Sequence, residues 1–102
     1  MRLVYFGDVM GKSGRNGIKT HLPLIIEKLA PDFIIVNGEN AAHGFGITEK
    51  ICNQFFDLGI DVITTGNHVW DQREIINYIS EEPRLIRPLN YPKHTPGNGS
   101  GV

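Results

Sequence analysis

The stretch Ile34-Ile35-Val36-Asn37-Gly38-Glu39-Asn40 decides the fold. Its apolar, mostly β-branched run delivers a glycine, a carboxylate and a carboxamide to its end. Such a run reads as a buried strand of a parallel sheet, and parallel sheets place their chemistry at the carboxyl ends of their strands. Glu39 is therefore the first candidate functional residue. The chain on either side is read for groups that arrive at the same edge.

Upstream, Leu3-Val4-Tyr5-Phe6 is a first buried strand, closed by Gly7-Asp8. Gly11, Ser13, Gly14 and Gly17 then mark a loop and a helix entry. Ile18, Leu22, Ile25, Ile26 and Leu29 fall on one helical face. Pro23 predicts that this helix starts near it or kinks there, and Pro31 ends it. The second strand spans Asp32 to Asn37, and Gly38 to Gly46 is a loop. Thr48 is a good N-cap for a helix carrying Ile51, Phe55 and Leu58, stopped at Gly59. Asp61 to Thr65 is a third strand, ending in Gly66-Asn67-His68. Asp71 and Glu74 form a capping-box-like start for a helix with Ile75, Ile76 and Ile79. Pro83 ends it, and Arg84 to Arg87 is a fourth strand. The expectation is an α/β fold with a parallel βαβαβαβ sheet flanked by helices. Residues 1–90 form the structured unit, and 91–102, rich in proline and glycine, a loop or linker leading onward.

Composition narrows the function. The chain has 102 residues, enough for one domain or part of one. Ten basic and eleven acidic side chains give a formal net charge of -1, which argues against a general nucleic-acid-binding patch. A single cysteine, Cys52, builds neither an intrachain disulfide nor a cysteine-rich zinc module, and it suits an apolar helix face. No apolar run approaches the roughly 20 residues needed to cross a bilayer, and the chain opens straight into a strand pattern. A soluble, reducing, cytoplasmic setting is expected, with no membrane partner.

Gly7-Asp8, Gly38-Glu39-Asn40 and Gly66-Asn67-His68 each put a glycine first and a ligand group next. Parallel neighbours lie about 4.8 Å apart, so groups at adjacent strand ends can share one site. Any one of these residues alone would more often be a turn former or a helix cap. Together, Asp8, Glu39, Asn40 and Asn67 suit a hard or borderline cation such as Mg, Mn or Fe. Glu39 is the candidate bridge between two cations of a phosphoryl-transfer site. His68, with an unperturbed pKa near 6.5, is the candidate catalytic proton donor to a leaving oxygen. His43, in the loop after Glu39, is a candidate substrate contact; His21 and His94 read as surface groups. Asp71 reads as structural. A competing motif, Gly7-Asp8-Val9-Met10-Gly11-Lys12-Ser13, falls one residue short of a P-loop, with three residues between its glycines.

Gly7-Asp8, Gly38-Glu39-Asn40-Ala41-Ala42-His43-Gly44 and Thr65-Gly66-Asn67-His68-Val69-Trp70-Asp71 resemble the YmdB-like family of bacterial calcineurin-type metallophosphoesterases. Arg87-Pro88, Asn90-Tyr91-Pro92 and Thr95-Pro96-Gly97 fit the same pattern. The resemblance implies a dinuclear centre, commonly of iron or manganese, that hydrolyses phosphodiesters such as 2′,3′-cyclic nucleotides. It implies Asp8, Glu39, Asn40 and Asn67 as metal ligands, with Glu39 bridging and His68 as proton donor or phosphate contact. Met10 stands where the broader metallophosphoesterases carry a histidine, which agrees with this subfamily. The wider family folds as two sheets sandwiched between helices, and its members are longer, with further histidine ligands in their second half. By this resemblance the chain is the N-terminal half of an α/β/β/α sandwich, incomplete and weakly active alone. The alternative is a non-catalytic α/β domain that binds a cation or nucleotide weakly, or serves as a subunit of a homo-oligomer.

Overall fold

The computed structural model describes residues 1–101. The elements run in the expected order: β1 (Leu3–Phe6), α1 (Gly11–Leu29), β2 (Phe33–Asn37), α2 (Glu49–Asp57), β3 (Val62–Thr64), α3 (Ile75–Glu81) and β4 (Leu85–Ile86). The four strands are all parallel and lie in the order β1-β2-β3-β4. Right-handed crossovers that always step in one direction put every helix on the same face. The side chains agree, since Tyr78 of α3 donates to Asn53 of α2 at 3.3 Å. Ile34, Val36, Ile63 and Leu85 point beneath this helix layer and are almost fully buried. Ile18, Leu22, Ile51, Phe55, Ile75 and Ile79 close the core from above.

The other face of the sheet is bare. Leu3 and Tyr5 are 53% and 56% exposed, while Phe33, Ile35, Val62 and Ile86 are half-buried. The register sets Leu3 beside Phe33, Tyr5 beside Ile35, and Ile35 beside Val62, so these residues form one continuous apolar surface. Parallel sheets are ordinarily covered on both faces.

Local signals explain most boundaries. Thr48 Oγ1 accepts a hydrogen bond from the Ile51 amide at 3.2 Å, the expected N-cap of α2. Two expectations are corrected. Helix α1 begins at Gly11, so the expected entry loop is its first two turns, and it runs through Pro23. Pro23 and Lys19 are both exposed, so the carbonyl that loses its partner can face water, while Leu22 holds the same turn in the core. The end of the expected apolar face stays outside, with Ile26 and Leu29 38% and 42% exposed. The second correction concerns α3, which starts after Glu74 without a side-chain cap; Asp71 lies in the preceding turn and serves another partner.

Beyond β4 the chain turns back. Asn98 bridges Ile86, and its carbonyl accepts from the Arg87 amide at 2.9 Å, so the tail runs beside the β4 edge. Val102, the last residue of the expected 91–102 segment, lies outside the described residues. Among the described residues no helix is long and apolar enough to cross a membrane.

Cys52 is fully buried on α2, as its apolar face requires. Burial, helped by the carboxylates of Glu82 and Glu49, pushes its thiol from 9.0 up to about 12. The folded value lies above the unfolded one, so this contribution to stability is intact below pH 9.0 and is lost as pH rises from there toward about 12. At pH 8 the folded protein is expected to react with an aromatic disulfide reagent at least about 100-fold more slowly than in about 6 M guanidinium. Equal rates would show that Cys52 is not held in the core.

Candidate active site

Three loops leave the carboxyl ends of β1, β2 and β3, and the backbone stitches them together. The Val9 amide donates to the Asn37 carbonyl at 3.1 Å, Gly11 to Asn40 at 3.0 Å, and Gly38 to Thr64 at 2.9 Å. Gly38 is required by close approach: a Cβ built there would lie 2.7 Å from Ile47 Cδ1 and 3.1 Å from Ile63 Cγ2. The core therefore reaches right up to the strand-end edge, and little slack remains at Gly38.

Asp8 and Asn40 meet across β1 and β2. Asn40 Nδ2 donates to Asp8 Oδ1 at 2.6 Å, which leaves Asp8 Oδ2 and the Asn40 side-chain Oδ1 as free acceptors. Asp8 sits at φ 41°, a left-handed conformation that aspartate tolerates better than most residues. Glu39 turns toward the β3 loop instead. Its amide donates to Asn37 Oδ1 at 3.3 Å, a local turn that aims the residue. Its carboxylate lies against Gly66, where a Cβ would come within 2.6 Å of Oε1. Oε2 of Glu39 is buried and has no hydrogen-bond partner. A buried carboxylate oxygen without a partner is costly unless a cation or donor meets it.

Asn67 is exposed at the loop, and no hydrogen bond joins its side chain to Asp8, Glu39 or Asn40 among the described residues. His68 Nδ1 pairs with Asp71 Oδ2 at 2.8 Å, leaving Nε2 for another partner. Asp71 thus holds the imidazole rather than capping a helix. The sequence reading took Asp71 as structural and missed this pairing; an acid three residues after a histidine is the signal that could have found it. The His68 ring also meets Phe45 edge to face, with centroids 6.4 Å apart. Phe45 is 60% exposed, and its carbonyl accepts from Gln72 Nε2 at 2.9 Å, which ties the β2 loop to the β3 loop. His43 is exposed on that same β2 loop at φ 55°. Tyr91 returns from the tail to donate to the Gly66 carbonyl at 3.4 Å, a long-range contact with no local sequence signal.

The edge thus presents two carboxylates and two carboxamides, with a histidine beside them. Among the described residues no group of three or more His, Cys, Asp or Glu side chains gathers at one point. The oxygen donors nonetheless suit a hard cation, and the orphaned Glu39 oxygen is the group such a cation would satisfy. Two ions would need further ligands from water or from polypeptide beyond these side chains.

Comparisons with known proteins place this edge in a family. The family model described as YmdB-like protein matches residues 4–102. The chain is 50% identical to a 2′,3′-cyclic-nucleotide 2′-phosphodiesterase of Bacillus subtilis (strain 168), over 97% of the chain and 38% of that protein. A hypothetical protein from Thermus thermophilus superposes with a TM-score of 0.89 at 40% identity, covering 97% of this chain and 38% of that one. A novel phosphatase from Mycoplasma pneumoniae superposes with a TM-score of 0.87 at 38% identity, covering 95% of this chain and 36% of that one. The chain therefore spans less than two fifths of the length of the relatives it matches. Within that span the match is nearly complete, and the chain belongs to the YmdB-like protein family.

Proposed function

We propose that this chain carries the strand-end half of a metal-dependent phosphodiesterase site, acting in the cytoplasm on phosphodiesters of the 2′,3′-cyclic nucleotide type. The observation that carries the reading is the buried, unpartnered Glu39 oxygen at an edge built of oxygen donors. The name of the Bacillus subtilis relative supports the substrate class. Asp8, Glu39, Asn40 and Asn67 are the residues that would hold the metal, with Glu39 as the bridge if two ions bind, iron or manganese suiting the site best and magnesium possible. A cation there supplies charge neutralisation for the phosphate and an acidified water as nucleophile.

The chain's own residues divide the remaining work. Asn40 holds the Asp8 carboxylate in place, and Asn37 aims Glu39. Asp71 fixes the His68 ring through Nδ1, so that Nε2 carries the proton delivered to the leaving ribose oxygen. His43 reaches substrate from the exposed β2 loop.

The bare sheet face favours a second, compatible element of the reading: the rest of the catalytic protein covers Leu3, Tyr5, Phe33 and Ile35. The 102 residues alone then hydrolyse substrate slowly, because metal ligands and half of the core are contributed from elsewhere. Calorimetric titration of the chain with Mn²⁺, beside a 2′,3′-cyclic AMP assay, tests this. The expected result is saturable metal binding, weakened about tenfold in Glu39→Gln, with slow hydrolysis that requires the metal. No binding at millimolar Mn²⁺ by a folded chain would refute the metal reading.

A further inference from the structure

The helix layer carries a second charged feature, remote from the bare sheet face. Lys12, Arg15, Asn16 and Lys19 recur at helical spacing and line one face of α1. Across from them Gln54, Phe55, Asp57 and Leu58, at the end of α2, close a cleft of about 320 Å³. Three cations meet one carboxylate there, in a chain whose net charge is -1. Among the described residues the ion pairs are His68 with Asp71 and Glu82 with Arg84, so none of the three cations is paired.

Exposed lysines are ordinarily just solvated, and Lys12 and Lys19 taken alone would mean little. Arg15 is different. Its Nε is buried and has no hydrogen-bond partner, although the side chain lines the cleft. A buried guanidinium N–H without an acceptor is costly, and an anion in the cleft would satisfy it. A planar guanidinium flanked by two ammonium groups matches the charge and oxygen geometry of a phosphate.

We propose that the cleft between α1 and α2 binds the phosphate group of a small phosphate ester. Arg15 is its principal contact, Lys12 and Lys19 supply flanking charge, and Asn16 and Gln54 offer neutral hydrogen bonds. The site uses none of the strand-end residues, so it stands or falls separately from the phosphodiesterase reading. It also lies on the outer helix layer, which a covering of the bare sheet face would leave open.

Amide chemical shifts of the isotope-labelled 102-residue chain, titrated with inorganic phosphate, AMP and adenosine, test the proposal. Phosphate and AMP are expected to give saturable shifts centred on Lys12 to Lys19 and Gln54 to Leu58, and adenosine none. Arg15→Gln is expected to weaken binding at least about tenfold, with Arg15→Lys restoring part of it. Should Arg15→Gln fail to fold, Lys12→Gln combined with Lys19→Gln serves instead, since both lysines are exposed, with about fivefold weakening expected. Shifts confined to the strand-end loops would overturn the proposal, as would no saturable shift, or folded variants that bind like the parent.

Discussion

Replacing Gly66 with alanine is expected to empty the strand-end site while leaving the fold standing. The new Cβ would lie 2.6 Å from Glu39 Oε1 and would overlap the other carboxylate oxygen outright. Gly66 has no positive φ, so alanine is not excluded by its own backbone. The flexible carboxylate gives way, and Glu39, a proposed metal ligand, leaves its place. Mn²⁺ affinity measured by calorimetry is expected to fall by about 10- to 100-fold, the range seen when the support of a ligand is removed. The thermal midpoint should move by only a few degrees, since a small-to-large change against a side chain end costs about 1 kcal/mol. Unchanged metal affinity would show that the Glu39 carboxylate does not act from beside Gly66.

The largest stability effect is expected at Phe55. This ring is 1% exposed and lies in the core between α2 and the sheet. Truncation to alanine removes its burial and leaves a cavity, a loss of about 3–5 kcal/mol. Domains of ordinary stability hold only about 5–15 kcal/mol in total. A sheet covered on one face buries less than most, so Phe55→Ala is expected to leave the chain largely unfolded at 37 °C. Urea titration followed by far-UV circular dichroism measures this directly. A loss below about 1 kcal/mol would mean that the helix layer is not the main core.

The legible parts of the fold were those written in short windows. The run Ile34 to Asn37 announced its strand through unbroken apolar character, and Thr48 announced α2 through a side chain that bonds three residues on. What was not legible depended on partners far along the chain. Gly11, Gly14 and Gly17 read as loop because glycine disfavours helices, yet Ile18 and Leu22 pin α1 to the sheet strongly enough to extend it backward. The return of Asn98 to Ile86 and of Tyr91 to Gly66 has no local pattern at all. At the candidate site, the glycine-led strand ends marked the loops that share one edge of the sheet. The division of labour there was hidden: Asn40 binds Asp8, Glu39 leans on Gly66, and Asp71 abandons its helix for His68. Asp71 shows why, since helix capping and histidine pairing demand the same residue at the same spacing, and only the position of α3 decides between them.

The most direct test of the strand-end site is a chimera in which these 102 residues replace the matching segment of the Bacillus subtilis relative. On the proposed reading, the rest of that protein would cover the bare sheet face and complete the metal site. The expected result is manganese- or iron-dependent hydrolysis of 2′,3′-cyclic AMP, reduced at least about 1,000-fold by Glu39→Ala. A folded, metal-loaded chimera that leaves the substrate intact, or one whose rate survives Glu39→Ala, would contradict it.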